Sequence, residues 1–341
     1  TKERIMSYFG RANYDYQSKY LLSVVMRSDG YSRLVDNRWG IFPGVSAGWV
    51  FSKEKFMQKY SDILSFGKLR TSFGLNGKVD TNQIGYYTLQ GSYSTSSKYD
   101  GNTSYVIGSI PNPGLRWEKS RTIEAGLDLS FLENRLNANF TYYNRLTSDK
   151  YAKISLPSSS GISSILTNNG KIRNKGIEID LSAKIIQTKD WNWTVGANIA
   201  YNKNIIVSLP NNGLDKNRQD AFQVYSGKGD EKIWVGGYQE GQEPGFMYAF
   251  QADGIYKSWD EIPDYLEDRG GGASACVLYG KKSWEELADS EKGTGEEGAS
   301  KVKKLPIQPG DVKWKDVNGD GVIDQYDMVK VGNTKPRYTG G

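Results

Sequence analysis

The stretch WEKSRTIEAGLDLSFLENRLNANFTYYN, from Trp117 to Asn144, decides the fold class of this chain. Between Ile123 and Phe131 every second residue is apolar: Ile123, Ala125, Leu127, Leu129 and Phe131. Glu124, Gly126, Asp128 and Ser130 lie between them. After a turn near Glu133-Asn134-Arg135 the alternation resumes, with Leu136, Ala138, Phe140 and Tyr142 against Asn137, Asn139 and Thr141. Period two places successive side chains on opposite faces of a strand, and each strand is about twice the usual soluble length. The apolar stripe spans about 26 Å along the strand. A tilt near 40° reduces this to about 20 Å of height, close to the apolar band of an outer-membrane barrel. The other face carries carboxylates and amides, as a watery lumen requires.

A soluble β-sandwich also alternates, but a second hairpin repeats the pattern. Ile177, Ile179, Leu181, Ala183 and Ile185 alternate with Glu178, Asp180, Ser182 and Lys184. After the turn Gln187-Thr188-Lys189-Asp190 come Trp191, Trp193, Val195, Ala197, Ile199 and Tyr201. Trp191 and Trp193 sit beside the short turn, where an interfacial aromatic girdle lies in a membrane barrel. The stripes predict that Leu127, Leu129, Phe140, Ile179, Leu181, Val195 and Ile199 face lipid. Asp128, Asn139, Asp180 and Asn198 are then expected to face the interior.

Composition narrows the function classes. The chain has 341 residues, no histidine and one cysteine, Cys276. Without histidine there is no Ser-His-Asp or Cys-His nucleophile, no His-ligated zinc and no His general base. One cysteine excludes an internal disulfide framework; in GGGASACVLYG it reads as a buried loop residue or a free thiol. The paired acids Glu285-Glu286 and Glu296-Glu297 lie in polar, glycine-rich sequence and read as solvated charge. No P-loop or Rossmann fingerprint is present. Binding or transport is favoured over catalysis. Mean hydropathy is −0.61, and no run approaches a transmembrane helix; barrel strands hide their apolar face by alternation. Lys and Arg total 44 against 39 for Asp and Glu. That excess is spread out, which argues against a nucleic-acid patch.

Strands are expected near 4–15, 19–27, 44–51, 66–76, 117–131, 135–147, 176–187, 191–203 and 337–341. Tight turns at 16–18, 132–134 and 188–190 alternate with long loops at 28–43, 77–116, 148–175 and 204–336. Residues 52–65 read as a short amphipathic helix on the short-turn side. Long connections on one side and short ones on the other are the outer-membrane barrel arrangement, with long loops outside the cell. Residues 1–203 are thus barrel strands with their turns and loops, 204–336 a large extracellular insertion, and 337–341 the start of the next strand. At about 130 residues, the insertion is too long to lack structure. Extended pieces are expected around Phe246–Tyr256 and a short helix near Ser258–Glu267, while 268–304 is rich in Gly, Ser, Lys and Glu and expected to be mobile. Residues 77–116 are rich in Ser, Thr, Tyr and Gly, a composition suited to sugars or to a protein partner. Thr1 is not a start residue, and Arg337-Tyr338-Thr339-Gly340-Gly341 reads as a strand cut short. The sequence is expected to be a piece of a longer protein.

The insertion contains one sharp motif, Asp316-Val317-Asn318-Gly319-Asp320-Gly321-Val322-Ile323-Asp324-Gln325-Tyr326-Asp327. Asp316, Asn318 and Asp320 occupy ligand positions one, three and five of a calcium loop. Gly321 allows the sharp turn at six, the Val322 carbonyl serves at seven, Asp324 sits at nine and Asp327 closes at twelve. Hard oxygen ligands at this spacing wrap a Ca²⁺ ion. Asp327 stands where glutamate is usual, as in dockerin-type loops. Pro306–Trp314 before the loop is not helical, so no complete EF-hand forms, and there is no second copy. The loop reads as a structural staple; an Asx-rich turn without metal is the alternative.

The run Pro309-Gly310-Asp311-Val312-Lys313-Trp314-Lys315-Asp316-Val317-Asn318-Gly319-Asp320-Gly321, followed by Gly332 and Pro336-Arg337-Tyr338, resembles the SusC/RagA family of TonB-dependent outer-membrane transporters. So do Asn112-Pro113-Gly114-Leu115-Arg116-Trp117-Glu118, Asn174-Lys175-Gly176-Ile177-Glu178 and Gly254-Ile255-Tyr256. The resemblance implies an all-β fold: a segment of a 22-stranded transmembrane antiparallel barrel, whose plug domain and TonB-binding segment lie outside this chain. It implies the outer membrane of a Gram-negative bacterium of Bacteroidetes type, a SusD-like surface lipoprotein as lid, and import of oligosaccharides or peptides powered by the TonB complex. The alternative from another class is a secreted, soluble, calcium-stapled β-rich module for glycan binding or adhesion. The direction of the apolar stripes separates the two: outward to lipid in a barrel, inward to a packed core in a sandwich.

Overall fold

The computed structural model describes residues 2–95, 98–270, 276–292 and 303–341. Its main element is a nine-stranded sheet. The strands are β1 (Ile5–Tyr16), β2 (Tyr20–Tyr31), β3 (Trp39–Trp49), β4 (Leu64–Lys78), β5 (Glu118–Phe131), β6 (Leu136–Ser155), β7 (Ser164–Gln187), β8 (Asn192–Ser208) and β9 (Tyr338–Gly340). They are hydrogen-bonded in sequence order, with β1 and β9 at the edges, and every pairing within the sheet is antiparallel. This up-and-down order with open edges is an arc of a barrel.

The register aligns the apolar stripes. One row runs Tyr16, Tyr20, Trp49, Leu69, Leu127, Phe140, Ile179 and Ile199 across eight strands. Directly paired residues share a face, so this row lies on one side of the sheet. The row Lys68, Asp128, Asn139, Asp180 and Asn198 lies on the other. Leu181 keeps 42% of its surface exposed and Ile199 57%. Leu69, Ile123, Ile177 and Val195 on the same side are likewise exposed, which is not the sandwich arrangement.

Several expectations differ from the structure. Residues 148–175 are not a loop: β6 and β7 remain paired out to Ser155 and Ser164, leaving only 156–163 as the connection. Likewise β8 runs to Ser208, past the expected end at 203. Beyond the bilayer the outward face no longer needs to be apolar, so the alternation fades while the backbone ladder continues. Residues 52–65 do not form an amphipathic α-helix. They hold two 3-10 segments, Phe51–Lys53 and Lys55–Tyr60, neither with a side-chain cap. Near 258–267 only the 3-10 turn Trp259–Glu261 and the strand pair Glu267–Asp268 are present. The tight turns are as expected: Gln17, Ser18, Glu133 and Asn134 all take positive φ, as close hairpin reversals require.

Residues 219–238 and 244–335 form a second compact unit. Its short strands pair locally, Phe222–Tyr225 with Lys232–Val235 and Phe246–Ala249 with Val329–Asn333. Tyr256, Ile262 and Ile307 are its buried centre. The expected extended pieces are Phe246–Ala249 and Ala252–Ile255. Cys276 is half-buried on Cys276–Tyr279. Residues 271–275 and 293–302 of the Gly/Ser-rich stretch, including Glu296 and Glu297, lie outside the described residues, whereas Glu285 ends the helical turn Lys281–Glu285.

Candidate functional site

Three places carry chemistry. The first is the polar face of the sheet. Arg70 on β4 reaches across two strands: its Nε pairs with Asp128 Oδ1 at 3.1 Å and its terminal nitrogen donates to Thr141 Oγ1 at 2.6 Å. Gly126 makes this possible, because a Cβ there would stand 2.5 Å from the guanidinium carbon. Arg145 donates to Thr122, Ser72 to Glu124 and Ser130 to Asn137. Ser23, Ser46, Lys68, Arg70, Ser72 and Glu124 border a recess of about 490 Å³. This face is suited to water and polar solutes, not to lipid.

The second place is the long-loop end of the sheet. Tyr31, Leu34, Phe42, Ile84, Leu89, Leu115, Trp117 and Tyr151 form a buried aromatic and aliphatic core there. Trp117 packs against Tyr31 and Phe42 with ring centroids 6.1 and 5.5 Å apart, and its Nε1 donates to the Arg38 carbonyl at 3.0 Å. Glu118 is 3% exposed and accepts the Tyr151 N–H at 2.9 Å, with Lys150 Nζ at 3.6 Å. Asn112 donates to the Leu166 carbonyl, and Asn168 accepts the Arg116 N–H. The segment Asn112–Glu118 thus ties residues 28–43, 79–117 and the β6–β7 hairpin into a fixed rim. Sequence periodicity missed this core because its residues come from separate strand ends and loops.

The third place is the acidic loop. Asp316 accepts the N–H groups of Gly319 and Gly321 at 2.7 and 2.8 Å, and Asp320 accepts that of Val322 at 2.7 Å. Asn318 Oδ1 accepts the Asp320 N–H at 3.4 Å. Asp324 accepts the Tyr326 N–H, and Asp327 those of Val317 and Asp324, each at 2.8 Å. Gly319 and Gly321 take φ of +77° and +81°, a conformation glycine adopts freely. The six residues expected as ligands therefore wind into one tight coil. Asp327 is fully buried. Burial raises its carboxyl above the usual range, with Asp316 and Asp324 adding to the effect against two backbone N–H bonds. Among the described residues, neither these aspartates nor Asp230 forms an ion pair. No three acidic or cysteine side chains among those residues converge as a ready metal site either. The loop carboxylates are turned onto the backbone, yet each retains lone pairs beyond those bonds. In donor type and spacing the residues fit a hard cation.

One partner of this loop was not legible in its motif. Asn318 Nδ2 donates to Asp230 Oδ1 at 2.7 Å, from a residue far away in sequence. The same hairpin places Lys232 Nζ 3.4 Å from the Tyr326 ring centre and sets the Tyr225 ring, tilted by 59°, 5.7 Å from that of Tyr326. Burial and the surrounding acids Asp324, Asp320, Asp327 and Asp230 push the Tyr225 phenol up to about 12.

A family model described as TonB-dependent receptor-like β-barrel matches residues 1–289. The chain belongs to that family. TonB-dependent receptor P39 of Formosa agariphila is 29% identical over 345 residues, covering 100% of this chain and 31% of the relative. TonB-dependent receptor SusC of Bacteroides thetaiotaomicron is 33% identical over 285 residues, covering 80% of this chain and 28% of SusC. Among solved structures, the RagAB peptide transporter aligns with a TM-score of 0.59 at 28% identity, covering 75% of this chain and 27% of that one. This TonB-dependent receptor segment therefore spans less than a third of the relatives it matches. It is part of an outer-membrane β-barrel of Bacteroidetes type. Among the described residues no helix is long and apolar enough to cross a membrane; in this family strands do the crossing.

Proposed function

We propose that this chain is a barrel segment of a TonB-dependent importer that takes up oligosaccharides or peptides with a SusD-like surface lipoprotein as lid. The observation that carries the reading is the two-faced sheet, apolar outside and hydrogen-bonded polar within, joined to a rigid aromatic rim on the long-loop side. A wall of this kind surrounds an aqueous path through lipid. The fixed rim offers a preorganised platform for a partner. Exposed tyrosines on the 79–117 segment, Tyr87, Tyr93 and Tyr105, supply flat faces for sugars or side chains. TonB would engage parts of the receptor outside this chain. The test is purification of the intact receptor in mild detergent, followed by growth of a knockout strain on a panel of glycans and peptides. A co-purifying lipoprotein and loss of growth on one substrate class are expected. A receptor that purifies alone and a knockout that grows on every substrate would contradict the reading.

The acidic loop is proposed to hold one structural Ca²⁺ through Asp316, Asn318, Asp320, the Val322 carbonyl, Asp324 and Asp327. Support comes from the donor set and from a concentration of carboxylates that form no ion pair among the described residues. The cation would balance that charge and fix residues 305–335 against the 222–235 hairpin. Asp316→Ala with Asp320→Ala is expected to make 305–335 protease-sensitive and leave the barrel folded. A loop that stays equally resistant in EDTA, in protein whose metal analysis finds no calcium, would refute this.

A further inference from the structure

The outward stripes of β5, β7 and β8 all end the same way at the long-loop side. On β5, Phe131, Leu129, Leu127, Ala125 and Ile123 give way to Arg121 and Lys119. On β7, Ile185, Ala183, Leu181, Ile179 and Ile177 give way to Lys175 and Arg173. On β8, Val195, Ala197, Ile199 and Tyr201 give way to Lys203. The register sets these cations side by side. Lys175 pairs directly with Lys203, and Arg121 and Arg173 both flank Leu146. Just below them lies a row of tyrosines, Tyr142, Tyr201 and Tyr338, with the Tyr201 and Tyr338 rings 5.1 Å apart. Aromatic residues at that height mark the edge of the apolar band.

Like charges directly opposite each other on a sheet destabilise it. Glu243 relieves Lys203, at 3.7 Å. Among the described residues, Lys119, Arg121, Arg173 and Lys175 form no ion pair. No acidic residue occupies an outward position in their rows. Arg173 is half-buried with its Nε shielded and without a hydrogen-bond partner. A guanidinium has five donors in a fork that matches phosphate oxygens. Arg121 and Arg173 stand two strand spacings apart, about 10 Å, so their long side chains can close on one anion.

We propose that Lys119, Arg121, Arg173 and Lys175 form a phosphate-binding belt for the headgroup of an anionic outer-leaflet glycolipid. The surface faces lipid, lies at headgroup height beyond a tyrosine girdle, and carries unpaired positive charge. A phosphate there supplies the missing acceptors and the counter-charge together. The inference rests on the barrel orientation and is independent of the substrate.

The test uses the intact receptor in detergent micelles, titrated with a phosphorylated diglucosamine lipid or its phosphate-free counterpart and read by native mass spectrometry. The parent should bind the phosphorylated lipid roughly 10–100-fold more tightly than the phosphate-free one. Arg121→Gln/Arg173→Gln/Lys175→Gln should abolish that preference. Lys55→Gln/Lys59→Gln/Lys189→Gln, an equal charge change on the short-turn side, should keep it. Equal binding of the two lipids by the parent overturns the proposal, and this arm needs no variant to fold. So does a loss of preference in the Lys55/Lys59/Lys189 triple as large as that in the belt triple. Protection of the four side chains by an added surface lipoprotein, but not by lipid, would assign the belt to a protein partner and likewise overturn it.

Discussion

Leu181→Arg is expected to cost about 2–4 kcal/mol of barrel stability and to reduce sharply the folded receptor in the outer membrane. Leu181 is the middle residue of the five-residue apolar stripe on β7, between Ala183 and Ile179, and pairs with Ala138 and Ala197. It therefore lies near the bilayer midplane, where a guanidinium has neither water nor a partner within reach. Lys184→Arg, on the opposite face, keeps its charge and should be near neutral. The measurement is the urea midpoint of refolded barrel in vesicles, or the folded fraction on an unheated gel. Wild-type assembly by Leu181→Arg would mean that this face does not see lipid.

Trp117→Ala is expected to open the rim at a cost of about 3–5 kcal/mol. Trp117 is 8% exposed and fills the space between Tyr31 and Phe42. The truncation leaves a cavity and removes one of two N–H donors to the Arg38 carbonyl, the other being the Tyr31 N–H. The barrel strands below do not depend on this contact, so the loss should be local. Hydrogen exchange at residues 80–115 should accelerate by about 10²–10³-fold, with β7 and β8 unchanged. Uniform acceleration through the sheet would mean that rim and barrel unfold as one unit. A smaller effect, also at the rim, is expected from Glu118→Gln, which keeps the shape and the Tyr151 bond but loses the Lys150 pairing.

The sheet was legible because a bilayer imposes a simple demand. Every outward residue over the band must be apolar, and the period-two signal survives in Ile123–Phe131 and Ile177–Ile185 without help from tertiary contacts. Where that demand ends, so does the signal, which is why the extension of β6 and β7 to Ser155 and Ser164 carries no strand pattern in the sequence. The 3-10 segments at 51–60 carry helical spacing, but they bury no side chain and have no side-chain cap, and a short helix needs tertiary packing to form. The rim core escaped because Leu34, Ile84, Leu115 and Tyr151 meet only through the fold. Its trace in the sequence is the Asn112–Glu118 motif, a mark of resemblance, in which Leu115, Trp117 and Glu118 are buried anchors. The tight coil of the acidic loop follows from a spacing that is local. Asp230 was not legible, since nothing near it marks it as a partner of Asn318.

The central claim is that the two faces of one continuous sheet meet different solvents. It is tested most directly by single cysteines at positions 178–182 and 196–199 of the intact receptor, with Cys276 replaced by serine. Each is probed in native membranes with a membrane-impermeant thiol reagent and with a lipid-soluble spin probe. Strict alternation is expected. Ile179, Leu181, Ala197 and Ile199 positions should react with the lipid-soluble probe alone, and Glu178, Asp180, Ser182, Gly196 and Asn198 positions should be reached only from water. Equal access of the water-soluble reagent to both sets, or protection of both from lipid, would contradict it.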